Sequence, residues 1–175
     1  FETRNDVSEE EYIEMIRLKT SVLLACALKI GALLAGASEK DADNLYKFGE
    51  KIGLAFQLQD DYLDVYGDPK VFGKAIGGDI TSNKKTYMLI NALNRAKEGQ
   101  RKEISRWIEA MSFDRNEKVA AMTELYNNIG IAQLAQEKII YYFSESKRYI
   151  DAVEVPEEHK HELRAYAEKM MKRNY

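Results

Sequence analysis

Three carboxylates crowd the end of an apolar segment in Phe56-Gln57-Leu58-Gln59-Asp60-Asp61-Tyr62-Leu63-Asp64. On a helix Asp60 and Asp64 share one face and Asp61 lies one turn from Asp64, so the charges repel unless a cation intervenes. Carboxylates near a helix C-terminus also meet the unfavourable end of the dipole, at about 0.3–1 kcal/mol each, and a bound cation reverses that sign. Oxygen ligands with no cysteine or histidine nearby favour a hard divalent ion, magnesium before zinc, with coordination completed by water and substrate phosphates. The competing reading is a solvated acidic turn. Gln57, three residues before Asp60, places its amide either beside the same cavity or in solvent.

A second cluster follows in Lys74, Gly77, Gly78, Asp79, Asn83, Lys84 and Lys85. Two lysines just inside a helix N-terminus oppose the dipole, and they make better sense where exposed amides and lysines together hold an anion such as phosphate. Glycine lets backbone approach a ligand closely, and lysine supplies charge without a fixed fork geometry. The sequence GxxxxGK[ST] is absent, so this is not a P-loop. The bland alternative is a hydrated loop with surface lysines, and Lys85 reads as helix surface. A third pair, Lys19 and Thr20, interrupts the first long helix where it turns apolar, and the lysine either snorkels or reaches into the cavity lined by the aspartates. His159 and His161 are two residues apart, off a common helix face, and read as solvated.

The three clusters share a chemical logic. Carboxylates hold magnesium, and magnesium with lysines holds a diphosphate and makes it a better leaving group. An allylic diphosphate then ionises to a carbocation that needs an apolar, water-poor pocket. No Ser-His-Asp or Cys-His arrangement competes.

The elements that must position these groups are helical. Ser8 with Glu11 forms a capping-box pattern before a helix from about 9 to 35 that stops near Gly36, and Ser38 with Asp41 caps another from about 40 to 65, ended by Gly67 and Pro69. The stretch GDPKVFGKAIGGDITSNKK lacks a 3.6-residue apolar period and reads as a long functional loop. Lys84 or Lys85 opens the next helix, Glu103 to Ala110 suggests another, Asp114 with Glu117 caps a longer one reaching Tyr149 with a bend near Gly130, and Pro156 starts the last over about 157–172. No segment alternates as a strand does, so the class is all-α.

At 175 residues and 45% hydrophobic, the chain can bury one core, and one domain is the default. A net charge of -3 from 26 basic and 29 acidic residues gives no global attraction for nucleic acid or an anionic membrane, so any anion site is local. The run SVLLACALKIGALLAG, Ser21 to Gly36, contains Lys29 and falls short of the roughly 20 apolar residues of a membrane span. It is apolar nearly all round and predicts a helix covered on both sides at the centre of a bundle. Cys26, the single cysteine, excludes an internal disulfide framework.

The sequence resembles the trans-isoprenyl diphosphate synthases, the family of farnesyl, geranylgeranyl and longer polyprenyl diphosphate synthases. FQLQDDYLD looks like that family's second aspartate-rich motif, followed in order by DVYGDP, GKAIGGDI and NKKTY, with the Lys19-Thr20 pair upstream. The resemblance implies that residues 1–175 form the C-terminal part of an antiparallel helical bundle of the isoprenoid synthase type. It implies Asp60 and Asp64 as ligands of Mg2+ with Asp61 supporting the site. Lys19, Thr20, Gln57, Lys74 and Lys84 fall near the allylic diphosphate or the developing charge, and Asp79 orders the loop and a metal-bound water. The implied reaction is head-to-tail condensation of an allylic diphosphate with isopentenyl diphosphate, with released pyrophosphate taking the proton, in a cytoplasmic homodimer.

The family's first aspartate-rich motif, DDxxD, and most isopentenyl diphosphate contacts belong to an N-terminal half, whereas this chain opens at FETRNDVSEEEY. The expectation is therefore a portion of an enzyme, inactive alone and completed by a complementary segment. A noncatalytic diphosphate-binding or regulatory subunit is the alternative, and a terpene cyclase a further one, although GGDI followed by NKKTY favours chain elongation. Product length stays open.

Overall fold

The computed structural model describes residues 4, 6–68 and 76–172. Among them every regular element is a helix: α1 (Glu9–Ile16), α2 (Val22–Leu34), α3 (Glu39–Tyr66), α4 (Gly78–Thr81), α5 (Tyr87–Arg95), α6 (Glu98–Glu109), α7 (Arg115–Ile129), α8 (Ile131–Asp151) and α9 (Glu157–Met171). The capping signals operate as expected. Ser8 Oγ accepts from the Glu11 amide at 3.2 Å while the Glu11 carboxylate accepts from the Ser8 amide at 2.9 Å, a reciprocal box. Ser38 Oγ accepts from the Asp41 amide at 3.1 Å, and Asp114 accepts from the amides of Asn116 and Glu117 at 2.8 and 3.0 Å.

Several expected boundaries move, each for a local reason. The single helix expected over 9–35 is interrupted by a π-helical turn, Arg17–Ser21, which contains Lys19 and Thr20. The stretch expected as one bent helix from Asp114 to Tyr149 is two, because Gly130 takes φ +83° and its amide turns back to the Asn127 carbonyl. The long loop contains the helical turn α4. The helix expected to open at Lys84 or Lys85 instead opens at Tyr87, capped by Thr86 Oγ1 on the Leu89 amide at 3.3 Å.

The chain divides into two compact units, one from the described residues of 1–12 and 60–136, the other from 13–59 and 137–172. In the first, α4, α5 and α6 all pack on α7. The second is centred on Phe48, Ile52, Ile150 and Ala167, with Leu24, Leu28, Phe143 and Leu163 around them.

Within the second unit α2 and α3 meet along a seam of small residues. A Cβ at Gly49 would lie 2.9 Å from Ala25 Cα, and one at Gly53 would lie 2.9 Å from Ser21 Cα. The glycines are therefore a packing requirement, and they hold the π-helical turn against α3. The outer side of α2 is a correction to the expected central helix: Leu23 is 77% exposed, Ile30 57% and Leu34 85%, because within its unit α2 is covered on the Ser21–Ala25 side alone.

G53A is expected to destabilise the chain by about 1–3 kcal/mol in a urea titration, since overpacking against backbone outweighs the propensity gain. G31A, where an added Cβ meets nothing within 4 Å, is expected to stabilise it by about 0.5–1 kcal/mol.

Candidate functional site

The aspartate run occupies the last turns of α3, and its three members are not equivalent. Asp61 is buried, and its Oδ2 accepts from the Tyr12 hydroxyl of α1 and from the Tyr87 amide at 3.0 Å. Lys84 Nζ stands 3.8 Å from Asp61 Oδ1. Burial pushes the Asp61 carboxyl up to about 6 against the pull of these donors. Burial and the adjacent Asp61 charge push the Tyr12 hydroxyl upward, so it remains the donor. Asp61 is thus an internal anchor that ties α1, α3 and the start of α5 together.

Asp64 faces the glycine loop. Its Oδ2 accepts from the Asp79 amide at 2.9 Å, and its backbone carbonyl accepts from the Gly77 amide at 2.7 Å. Gly77 needs φ +79°, and a Cβ there would strike Val119 of α7 at 2.5 Å, so glycine is required twice over. Burial raises the Asp64 carboxyl, assisted by the Asp79 charge. Asp79 Oδ2 pairs with Lys84 Nζ at 2.8 Å. Burial alone would lower the Lys84 ammonium, but the hydrogen bond to Asp79 and the charges of Asp61, Asp79 and Asp64 outweigh it and hold it above its usual range.

Asp61, Asp64, Asp79 and Lys84, drawn from the acidic and the glycine–lysine clusters, are joined by these contacts. Asp60 is half-buried on the same turn of α3. Thr20 is half-buried and Lys19 exposed in the π-helical turn, and Gln57 is half-buried on α3, all in the other unit. Lys74 lies outside the described residues. Lys85 is buried rather than helix surface, and neither lysine sits inside a helix, so Lys84 owes its place to carboxylates and not to a helix end. Both histidines are exposed, as expected.

Among the described residues no group of three or more His, Cys, Asp or Glu side chains is arranged to hold a metal ion. The reason is geometric, because Asp61 turns inward to Tyr12 and Tyr87 while Asp64 turns to the loop. The donor chemistry nevertheless fits a hard cation. Asp60 and Asp64 supply oxygen one turn apart, and burial leaves the Asp64 charge undercompensated. The remaining positions would go to water and phosphate oxygens. An open cavity of about 500 Å3 is lined by Ser82, Asn83, Lys84, Lys85 and Ile108, wide enough for an anion to reach the half-exposed Lys84.

Sequence reasoning missed Tyr12 and Lys118. Tyr12 partners a residue 49 positions away, and nothing local reports that. Lys118 was readable: it shares the buried register of Met122 and Tyr126 at four-residue steps, where a lysine is out of place.

The all-α fold is that of solved prenyl-synthase structures. A geranylgeranyl pyrophosphate synthase crystal structure superposes with TM-score 0.89 at 38% identity over 99% of this chain and 54% of its own. The polyprenyl synthetase from Streptomyces coelicolor gives 0.87 at 34% identity over 95% and 51%. The model of the polyprenyl synthetase family matches residues 1–129, and the chain belongs to that family. It is 39% identical to the geranylgeranyl diphosphate synthase of Methanosarcina mazei, over 100% of this chain and 52% of the relative. It is also 39% identical to a short chain isoprenyl diphosphate synthase of Methanothermobacter thermautotrophicus, over 88% and 46%. The chain spans about half the length of these relatives. Among the described residues no helix is long and apolar enough to cross a membrane.

The raised Asp61 carboxyl gives a signed pH effect. Below its unfolded value near 3.8 both states are protonated. Between there and about 6 the folded state alone takes up the proton, so this group's contribution to stability falls as pH rises through that window. The stability of the metal-free wild type minus that of D61N is expected to drop by roughly 2–3 kcal/mol from pH 4 to pH 7 in urea titrations. A flat difference would contradict the burial of this carboxylate.

Proposed function

We propose that this chain is the C-terminal portion of a trans-isoprenyl diphosphate synthase, a transferase that condenses an allylic diphosphate head-to-tail with isopentenyl diphosphate. The observation that carries the reading is the joined set Asp61, Asp64, Asp79 and Lys84, in which one cationic side chain is held at a cavity mouth by carboxylates on two elements. In this reading Asp60 and Asp64 hold Mg2+ and Asp61 keeps the last turn of α3 in place. Lys84 meets the allylic diphosphate, Asp79 fixes Lys84 and the loop, and Lys19, Thr20, Gln57 and Lys74 complete the contacts to the diphosphate and the charge that develops as it leaves. Bound magnesium supplies Lewis-acid neutralisation of the leaving diphosphate. The chain's own groups bind and orient that diphosphate, and Lys84, charged throughout the working pH range, gives it no proton.

The exposed stripe of α2 supports the second half of the proposal. Leu23, Ile30 and Leu34 follow one another at seven and four residues on one helix face, a pattern that soluble surfaces rarely leave bare. The matched solved chains contain about as much polypeptide again as this one covers. The reading assigns the stripe to that remaining helical portion, which brings the other acidic motif and the isopentenyl diphosphate contacts. The finished enzyme is a homodimer in the cytoplasm.

Two experiments test the proposal. In calorimetry, D60A and D64A are each expected to weaken magnesium-coupled pyrophosphate binding by about tenfold or more, while K84A weakens pyrophosphate binding with little effect on magnesium alone. Unchanged binding in both aspartate variants would remove the metal assignment. Mixing this chain with the unmatched portion of the Methanosarcina mazei relative, magnesium, isopentenyl diphosphate and a short allylic diphosphate is expected to yield a longer prenyl diphosphate. L23E/I30E is expected to abolish both association and product. Association without product would favour a noncatalytic diphosphate-binding subunit.

A further inference from the structure

We infer that Lys118 is a positioning residue for Lys84, acting through Asn83. The link to diphosphate binding rests on the function proposed above; the link between the side chains does not. Lys118 of α7 is wholly buried, and its Nζ donates to Asn83 Oδ1 at 2.7 Å while standing 4.1 Å from the Phe113 ring centroid. No carboxylate pairs with it among the described residues, and burial alone lowers its pKa. A lysine without a carboxylate is costly to bury, and what its ammonium gains here is the hydrogen bond to Asn83 and the face of the Phe113 ring.

Asn83 needs holding. It has φ +52°, the left-handed region that a non-glycine residue rarely adopts. Its side chain is gripped from two helices, since Nδ2 donates to the Ile108 carbonyl of α6 at 3.0 Å and Oδ1 accepts from Lys118. The reversal at Asn83 brings the Lys84 amide to the Asp79 carbonyl at 3.0 Å and returns the Lys84 side chain to the Asp79 carboxylate. The first turns of α7 hold the other end of this segment as well. Arg115 donates to the Ile76 carbonyl at 2.7 Å, and Val119 fills the space beside Gly77. Residues 115, 118 and 119 share one helix face. That face is a template for the loop that presents Asp79 and Lys84, and Lys118 is its contact nearest Lys84.

The test is a double-mutant cycle read as affinity for inorganic pyrophosphate with magnesium. K118M and N83G are each expected to raise the dissociation constant by about tenfold or more, and K118M/N83G to raise it no further than N83G alone, because without the Asn83 side chain Lys118 has nothing left to hold there, whereas N83G loses the Ile108 bond as well. Magnesium affinity without pyrophosphate should not move. Glycine accepts the left-handed turn, so N83G at wild-type affinity would mean that the turn needs no Lys118 and would overturn the inference, as would multiplicative losses of about a hundredfold in the double variant. Should K118M fail to fold, N83G alone decides by the same criterion. A ligand-free readout separates this inference from the function: the Asp79–Lys84 coupling from D79N, K84M and their combination in urea unfolding. It should be a factor of about two to five in the unfolding constant of the wild type and near one in the N83G background. If wild type binds no pyrophosphate the proposed function falls, and this coupling decides the inference by itself, with an unchanged value contradicting it.

Discussion

A carboxylate taken out of water at the end of a helix is the constraint around which the site is organised. Asp61 is expensive to bury as an anion, and the structure offsets that cost with a phenol from α1, a backbone amide from the start of α5 and a nearby ammonium from the loop between α4 and α5. Each donor fixes an element. Tyr12 places α1 beside the end of α3, the Tyr87 amide sets where α5 begins, and Lys84 is drawn over the same carboxylate that Asp79 also faces. Loss of any one would leave the remaining charge less well compensated. The three connections therefore stand or fall together to a degree that isolated surface pairs do not.

Backbone shape is the second constraint, and glycine and asparagine carry it. Gly77 and Asn83 take left-handed conformations at the two ends of a seven-residue segment, and α7 meets both ends with Val119 and Lys118. The short α4 between them is too small to hold its own geometry, so the helix behind it does so. In the other unit the same economy appears as a seam of Ser21 and Ala25 against Gly53 and Gly49, where closeness of backbones fixes the π-helical turn that bears Lys19 and Thr20.

Local chemistry was legible in the sequence where the partner lies within a turn or two. The Ser8–Glu11 box, the Ser38 and Asp114 caps and the extent of α3 all follow from spacings of three or four residues. The acidic cluster and the glycine–lysine cluster were each visible for the same reason, but not the contacts that join them over 15 or more residues. What could not be read were contacts between distant residues. Nothing near Tyr12 in the sequence marks it, and its bond to Asp61, 49 positions away, exists because tertiary packing brings α1 to the end of α3. The start of α5 was misplaced because Lys84 and Lys85 have good helix propensity, whereas Thr86, as a capping residue, set the boundary. The apolar run of α2 suggested burial on every side, yet hydrophobicity states only that a surface is to be covered, not that the covering belongs to the same polypeptide segment.

The central claim is that the end of α3 and the loop carrying Asp79 and Lys84 together hold a metal-bound diphosphate. Manganese in place of magnesium, added with pyrophosphate to the isotopically labelled chain, reports on this directly through paramagnetic broadening in nuclear magnetic resonance spectra. The account predicts that amide signals of Asp60, Asp61, Asp64, Asp79 and Lys84 broaden first and recover when a chelator is added. Broadening confined to other acidic surfaces, such as the Glu157–Glu158 turn, with these five signals unchanged, would contradict it.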